Sequence, residues 1–268
     1  MTPLRKTSQI PVTLTIAGSD SGGGAGIQAD LKTFMALGVF GTSAVTCITA
    51  QNPDAVTGIE AVSTRLIARQ IKAVTDGFPV AAGKTGMLFS TDIIRTVVRA
   101  LKQAPRFPLV VDPVMIATSG ARLLRDDAMA ALCRDLLPMA TVLTPNLHEA
   151  EILAACRIRK LDDLKKAALL ISKRFGTACV AKGGHLDGHE VVDVLCVGGE
   201  VSLFTAPRLR VRETHGTGCT FSAALTAALA HGTDLHESVA VAKCFVTRAL
   251  RHALVAGTHS PLNFAWQS

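Results

Sequence analysis

The sequence is poor in aromatic residues and has no strongly charged segment. Its 268 residues contain no tyrosine and one tryptophan, and aromatic residues make up 4% of the chain. The formal net charge is +7, but basic residues occur as singles and pairs, without the basic stripes and interleaved aromatics of nucleic-acid-binding surfaces. We therefore expect no nucleic-acid partner, and interpret the charge as either a solvated surface or a mild attraction for an anionic substrate such as a nucleotide.

Cysteine pairs and long apolar runs are also missing. The seven cysteines include no CxxC pair and most lie in apolar segments, which indicates reduced thiols and a cytoplasmic location. No uninterrupted apolar stretch reaches the roughly 18 residues that a membrane helix needs. Residues 1–11 lack the hydrophobic core of a signal peptide and are predicted to form a flexible N-terminal extension. We expect no association with a membrane.

Short β-branched runs alternate with longer helical patterns along the chain. Residues 12–17 and 43–49 are typical of buried strands, whereas Thr64–Asp76 carries its apolar residues on one helical face. Such alternation predicts an α/β fold with a mainly parallel central sheet and helices on both faces. Two β-branched runs around residues 197–200 predict one antiparallel hairpin. Since neither a linker nor an internal repeat occurs, we expect a single domain over residues 1–268.

The first candidate site is a glycine-rich segment between a predicted strand and a predicted helix. Five glycines fall within residues 18–26, which implies a close approach of the backbone to a ligand. Residues 24–29 fit the loose dinucleotide fingerprint, but the second strand ends in residues 49–52 without the acid that the fingerprint requires. A ligand-binding loop is therefore favoured over a dehydrogenase site or a plain turn. Asp30, in the following helix, either complements the helix dipole or accepts hydrogen bonds from a substrate.

A second glycine-rich segment, Gly216–Cys219, opens a predicted helix of small residues. The N-terminus of a helix presents backbone N–H groups and partial positive charge, which together bind anions. In phosphoryl transfer such donors stabilise the charge on the transferred group. Cys219 lies in the first turn, where the helix N-terminus is expected to lower the pKa of the thiol. It is either a base that takes a proton from an alcohol or an ordinary buried residue.

Polar residues follow three further predicted strands. Asp112 ends one strand, Asn146 and Glu149 follow the next, and Lys182 follows a third. Because ligands of such sheets bind beyond the carboxyl ends of the strands, these residues are expected to share one site. Oxygen ligands suit Mg²⁺, and the lysine can reach nucleotide phosphates. Taken singly, Asp112 would belong to a turn and Glu149 to an exposed helix face, but their shared position favours the joint interpretation.

Two other patterns are rejected. Gly83–Thr85 resembles the end of a Walker phosphate loop, but Phe78 occupies the position of its first glycine. His185 and His189 are spaced like a helical metal pair, yet an Asp-Gly turn lies between them, and no zinc-ligand spacing occurs.

Together these segments resemble the hydroxymethylpyrimidine/phosphomethylpyrimidine kinases, a vitamin-kinase branch of the ribokinase-like family. The resemblance covers roughly residues 12–254. Its most specific segments are AGSDSGGGAGIQADLKTF at 17–34, TAQN at 49–52, KTGML at 84–88, VDPVMIATSG at 111–120, TPNLHEAE at 144–151, KGGHL at 182–186 and THGTGCTFSAA at 214–224.

The resemblance implies a ribokinase-like three-layer sandwich and a homodimer. It also implies that ATP and Mg²⁺ are used to phosphorylate 4-amino-5-hydroxymethyl-2-methylpyrimidine, and then its monophosphate, in thiamine biosynthesis. The matching positions imply these roles: Asp30 and Gln51 bind the aminopyrimidine edge; Gly18, Met87 and Val114 line its pocket; Gly216, Thr217 and Gly218 form the anion hole; Cys219 is the base; Asp112, Asn146 and Glu149 form the magnesium and phosphate network; Lys182 contacts the nucleotide phosphates.

Three positions depart from the family pattern, and two alternative functions stay open. Cys219 stands where most ribokinase-like sugar kinases carry aspartate, His148 replaces a usual proline, and Glu213 replaces a usual asparagine. One alternative is a pyridoxal/pyridoxine kinase or a dual-specificity enzyme, because that substrate also offers a nitrogen ring and a hydroxymethyl group. The other is a catalytically inactive pyrimidine-binding regulator, against which the intact Gly216–Cys219 and Lys182 argue.

Overall fold

The alternation of strands and helices expected from the sequence is present in the computed structural model. The structure describes residues 9–117, 120–209, 211 and 215–266, so Glu213 and most of the predicted N-terminal extension lie outside the described residues. The strands are β1 (Val12–Asp20), β2 (Phe40–Gln51), β3 (Val56–Ala61), β4 (Val80–Thr85), β5 (Leu109–Val111), β6 (Val142–Leu143), β7 (Ala178–Ala181), β8 (Glu190–Val197) and β9 (Glu200–Pro207). The helices are α1 (Gly26–Ala36), α2 (Thr64–Gly77), α3 (Thr91–Gln103), α4 (Met129–Ala131), α5 (Leu147–Ala154), α6 (Leu161–Phe175), α7 (Thr217–Ala230) and α8 (Leu235–Arg251).

All of these strands belong to one sheet, in the order β3-β2-β1-β4-β5-β6-β7-β8-β9. The six strands from β2 to β7 in that order pair in parallel, whereas β3, β8 and β9 pair antiparallel with their neighbours. The predicted hairpin is therefore confirmed, with Val197 opposite Glu200 at its turn. Because the parallel strands all end at the same edge, the segments that follow them converge there.

Alternating side chains of the central strands pack on opposite faces of the sheet. On β5, Leu109 and Val111 lie in the hydrophobic core with residues of α2, α3, α5 and α6, while Val110 packs with residues of α7 and α8. This is the two-residue period expected of a strand that is buried on both sides. Phe34 of α1 packs against Ala223 and Ala227 of α7. Among the described residues, no helix has the length and apolar character needed to cross a membrane.

Two strands are not indicated by the sequence pattern. In β4, a Cβ on Gly83 would lie 2.6 Å from the Phe107 ring and 3.3 Å from the carbonyl oxygen of Leu14, so close packing requires glycine despite its weak strand preference. The antiparallel β3 follows a turn in which the Asn52 side chain accepts a hydrogen bond of 2.9 Å from the N–H of Ala55. Tertiary packing and a local asparagine turn thus produce strands that hydrophobic periodicity misses.

Candidate active site

The two glycine-rich segments meet at the carboxyl edge of the sheet. The first loop, residues 18–26, joins β1 to α1, and the second loop, residues 215–219, leads into α7. Gly216 has a φ of +81°, and a Cβ there would lie 1.8 Å from the carbonyl oxygen of Gly24. A Cβ on Gly24 would lie 2.7 Å from the His215 ring. The two loops therefore form one continuous surface, and their contact requires backbone without side chains.

Asp20 organises the first loop and connects it to the second. Its carboxylate is 2% exposed and accepts hydrogen bonds from the N–H groups of Gly22, Gly24 and Ala25 at 2.8, 3.1 and 2.8 Å. His215 Nε2 lies 3.2 Å from Oδ2 of the same carboxylate. Burial acts to raise the pKa of Asp20, but hydrogen bonds from His215 and the loop backbone hold it below its ordinary value. Sequence reasoning missed this role, although an aspartate before a glycine run is a local signal for such a turn.

Cys219 faces the first loop from the first turn of α7, where the backbone N–H of Gly26 hydrogen-bonds its sulfur. Cys219 is half-buried. Burial raises the pKa of Cys219 to about 12; the Lys84 ammonium acts to lower it, and the Asp30 and Asp112 carboxylates raise it. The pKa of the thiol is therefore raised and not lowered as expected, because desolvation outweighs the Lys84 charge and the Gly26 hydrogen bond. The thiol is protonated at neutral pH.

Asp30 forms an ion pair inside the protein. Its side chain is fully buried, both oxygens lie 2.8 Å from Lys84 Nζ, and Thr15 Oγ1 donates to Oδ2 at 2.6 Å. Burial opposes a charged lysine, but the Asp30 carboxylate raises the pKa of Lys84 overall. Burial raises the pKa of Asp30 as well, although Lys84 and Thr15 act to lower it. No oxygen of Asp30 is exposed to a ligand in this arrangement. Direct binding of a pyrimidine by Asp30 stays a prediction, and Lys84 is a neighbour of Cys219 that the sequence did not reveal.

Of the four remaining residues predicted to bind the pyrimidine, three lie at the first loop. Gly18 lies against Met87, since a Cβ on Gly18 would be 3.2 Å from the Met87 sulfur. Gln51 ends β2, where its N–H donates to Ser21 Oγ and its carbonyl accepts from the same hydroxyl, each at 2.7 Å. Val114 is half-buried and lies beyond the end of β5. The structure thus brings Gly18, Met87 and Gln51 to the first loop and places Val114 on the side of Asp112.

Asp112 and Lys182 lie beside the start of α7. Lys182 Nζ is 3.2 Å from Asp112 Oδ1, and Ser222 Oγ donates to Oδ2 at 3.3 Å. A Cβ on Gly218 would lie 3.3 Å from Lys182 Nζ and 3.8 Å from Asp112 Oδ2. Burial acts against the ammonium, yet Asp112 raises the pKa of Lys182 overall, so the lysine stays charged. A positive group is therefore next to the helix N-terminus, as anion binding requires.

Glu149 is buried, so it does not lie on the exposed helix face that was the alternative to the joint interpretation. It is 3% exposed, and its Oε1 and Oε2 accept hydrogen bonds from the N–H groups of Met115 and Asn146 at 3.3 and 2.9 Å. Asn146 Oδ1 in turn accepts the N–H of Glu149 at 2.9 Å, so the two residues form a capping box at the start of α5. Burial, and then the charge of Asp112, raise the pKa of Glu149 to about 7.

The carboxylates of Asp112 and Glu149 are suited to a shared cation. Among the described residues, no group of three or more His, Cys, Asp or Glu side chains is arranged to hold a metal. Mg²⁺, however, commonly takes only one or two carboxylates and completes its octahedron with water and substrate phosphate. Since the charge of Asp112 makes ionisation of Glu149 harder, a divalent cation would relieve their repulsion. The donor set fits Mg²⁺ bound together with a phosphate.

Comparison with known proteins identifies the family. The sequence model described as phosphomethylpyrimidine kinase matches residues 20–263. The chain belongs to this family. The hydroxymethylpyrimidine/phosphomethylpyrimidine kinase of Bacillus subtilis is 46% identical over 252 residues, which are 93% of each chain. The family and activity expected from the sequence motifs are thereby confirmed.

Solved structures confirm the ribokinase-like fold. A phosphomethylpyrimidine kinase from Clostridium difficile is 43% identical, with a TM-score of 0.79, and the match covers 89% of this chain and 99% of that one. The ADP complex of Bacillus subtilis pyridoxal kinase is 38% identical, with a TM-score of 0.89, and the match covers 97% and 99% of the two chains. The fold therefore occurs in structures named for both vitamin substrates, so fold alone does not select between them.

Replacement of Gly216 by alanine tests the contact between the loops. In Gly216→Ala the new methyl group collides with the Gly24 carbonyl, so we expect kcat/KM to fall at least tenfold, about 1.4 kcal/mol of transition-state stabilisation. Gly232→Ala is the matched control, because Gly232 has a φ of +84° and open space around a Cβ. It should cost only the backbone strain of about 1–3 kcal/mol in stability. Steady-state kinetics and thermal unfolding of both variants are the measurements. An equal fall in kcat/KM in Gly216→Ala and Gly232→Ala would contradict a role for the contact between the loops.

Replacement of Glu149 by glutamine tests the buried carboxyl group. Because its pKa is raised from 4.5 to about 7, its contribution to stability is fully present below pH 4.5 and is lost as the pH rises through about 7. Glu149→Gln cannot ionise, so the decline in the free energy of unfolding over this range should be flatter than in the wild type. Urea unfolding at a series of pH values measures this free energy, and Glu60→Gln, at an exposed position, is the control. An unchanged slope in Glu149→Gln would refute the raised pKa.

Proposed function

We propose that the protein uses ATP to phosphorylate the hydroxymethyl group of 4-amino-5-hydroxymethyl-2-methylpyrimidine, and then converts the monophosphate to the diphosphate. One observation supports this most directly: the start of α7 lies between the first loop and the Lys182–Asp112 ion pair. An alcohol held at the first loop and a phosphate held at Lys182 would therefore meet at Gly216–Cys219. Membership of the phosphomethylpyrimidine kinase family over residues 20–263 supports the same activity.

The proposed roles of the chain's residues in the reaction are mainly positional. Gly216, Thr217 and Gly218 stabilise the transferred phosphoryl group with the N-terminus of α7, and Lys182 contacts the nucleotide phosphates. Gly18, Gln51 and Met87 hold the pyrimidine beside the first loop, and Val114, next to Asp112, completes its pocket. Correct orientation of the two substrates can supply about 7–11 kcal/mol of the barrier reduction. The loss of one anion-hole donor typically costs about 2.7–4 kcal/mol.

Asp112 and Glu149 would hold Mg²⁺, with Asn146 fixing the Glu149 side chain through the capping box. When bound, the ion neutralises negative charge on the phosphates of ATP. The protein's own contribution is to keep two carboxylates close together although burial and repulsion oppose it. The homodimer that the family resemblance implies and the cytoplasmic location that the cysteines indicate stay predictions.

For Cys219 we propose a role other than the base that the resemblance implies. A thiol whose pKa is about 12 is not ionised at neutral pH and so cannot accept a proton. Its half-buried position between Gly26 and the start of α7 instead suits a thiol that orients the substrate hydroxyl. In a loose phosphoryl-transfer transition state the nucleophile needs little prior deprotonation, so the proton can leave after the new P–O bond has largely formed.

Two replacements of Cys219 separate orientation from base catalysis. We expect Cys219→Ala to lower kcat by about tenfold or more, or about 1.4 kcal/mol, and to raise KM less. Cys219→Ser retains a hydroxyl donor of similar size, so it should keep most of the activity and the wild-type pH profile. The measurement is kcat against pH for all three proteins. If serine is as damaging as alanine and the rise of kcat with pH disappears in both, Cys219 is the base.

Pyridoxal is the second candidate substrate, because the pyridoxal kinase fold matches this chain with a TM-score of 0.89. We expect kcat/KM for the pyrimidine to exceed that for pyridoxal, both measured with the same purified protein and saturating ATP. A preference for pyridoxal of about a hundredfold, or about 2.7 kcal/mol, would reverse the assignment. Binding of the pyrimidine without consumption of ATP would instead support a catalytically inactive regulator.

A further inference from the structure

The turn after β7 is held against the neighbouring strand by a single carboxylate. The N–H of Gly183 donates a 2.9 Å hydrogen bond to Asp193 Oδ1 on β8. A Cβ on Gly183 would lie only 2.0 Å from the carbonyl oxygen of Val192, so the turn packs directly on β8. Gly183 follows Lys182, whose own N–H donates to the carbonyl of Pro145 at 2.9 Å. The direction of the Lys182 side chain therefore depends on where this turn is anchored.

The same carboxylate is neutralised from the other side by a lysine of α8. Lys243 Nζ lies 2.8 Å from Asp193 Oδ2. Asp193 is 4% exposed and Lys243 is 8% exposed, so water screens this pair little. Lys243 thus reaches the Lys182–Gly183 turn through one intervening side chain.

Charge makes the connection strong. A hydrogen bond from a backbone N–H to an ionised carboxylate is shorter and roughly twice as strong as a bond between neutral groups. A carboxylate buried without a partner is costly, and the structure then adjusts by neutralising or moving it. Lys243 therefore offsets the cost of burying Asp193 and holds its carboxylate in place, and so maintains the bond to Gly183.

The outer part of the same loop has an independent anchor. Arg208 Nε donates to the carbonyl of Gly188 at 2.8 Å, Nη1 donates to that of Gly184 at 2.9 Å, and Nη2 donates to that of Leu186. Loss of the Asp193 bond is therefore expected to displace the Lys182–Gly183 turn while Arg208 still holds the rest of the loop.

We propose that Lys243 and Asp193 are positioning residues for the nucleotide: the buried pair fixes the turn that aims the Lys182 ammonium at the start of α7. Neither residue contacts a substrate. The inference rests on the proposed contact between Lys182 and the nucleotide phosphates. It goes further because it assigns control of nucleotide binding to a helix outside both loops.

Two double variants test the hydrogen bond without burying an unpaired charge. Asparagine and leucine have nearly the same shape, but only asparagine retains an oxygen that accepts the Gly183 N–H. We expect Asp193→Asn/Lys243→Met to keep the KM for ATP within about threefold of wild type. Asp193→Leu/Lys243→Met should raise it about tenfold, while the KM for the pyrimidine changes less than twofold in both, because the first loop is untouched. Both proteins replace the ion pair by neutral groups, which is usually tolerated.

Lys72→Met provides the control for loss of a lysine, since Lys72 forms an exposed ion pair of 2.7 Å with Asp76 on α2. It should leave both KM values unchanged. Equal ATP KM values in the two double variants would overturn the proposal. Parallel increases in both KM values in the leucine variant would also overturn it, because a general loss of structure has that effect. Thermal unfolding of the variant measures such a loss.

A Lys182→Met variant distinguishes failure of this inference from failure of the function on which it rests. If Lys182 contacts the nucleotide, its loss should raise the KM for ATP at least tenfold. An unchanged ATP KM in Lys182→Met would remove the proposed nucleotide contact and the positioning role with it. A raised value in Lys182→Met, together with equal values in the two double variants, would overturn the positioning role alone.

Discussion

Backbone meets backbone where Gly24 touches Gly216, with no side chain between them. This contact places the N-terminus of α7 directly against the loop that follows β1, so anion-binding groups and the candidate alcohol pocket share one surface. Asp20 reinforces it by accepting hydrogen bonds from its own loop while lying 3.2 Å from His215 Nε2 of the other. Neither loop alone would form a binding site for two substrates, since each presents mainly backbone groups to a ligand. The chemistry of the protein therefore depends on a distance that glycine alone permits.

Around this contact the protein distributes charge in buried pairs. Asp30 with Lys84, Asp112 with Lys182, and Asp193 with Lys243 each join two segments that are distant in sequence. Such pairs add little to net stability, but the removal of one partner is strongly destabilising, so each specifies an arrangement. Glu149 shares Lys182 with Asp112, which leaves two carboxylates near one ammonium and favours an additional cation.

The sequence predicts the parts of the site that have local signals. Glycine density marks the first loop, a small-residue helix marks the second, and parallel strands bring Asp112 to Lys182. The Lys84–Asp30 pair has no such signal, because its members lie 54 positions apart in the sequence. In addition, Gly83 interrupts the hydrophobic pattern of β4, so the strand that carries Lys84 is not predicted. The direction of the Cys219 pKa could not be foreseen either, since it depends on desolvation by segments from the whole chain. The capping pattern of α5 predicts a helix start but not its burial.

The enclosure of α7 has a consequence for motion. Its residues are buried without interruption from Thr220 to Ala228, between α1, α8 and the sheet. Close-packed interiors resist small displacements. The contact of Ala223 and Ala227 with Phe34 therefore opposes tilting of the helix. The turn at the start of α7, proposed above to receive the phosphate, is thus attached to a closely packed helix. Entry of substrates and departure of products must be accommodated by the peripheral loops, while the helix they surround keeps its place.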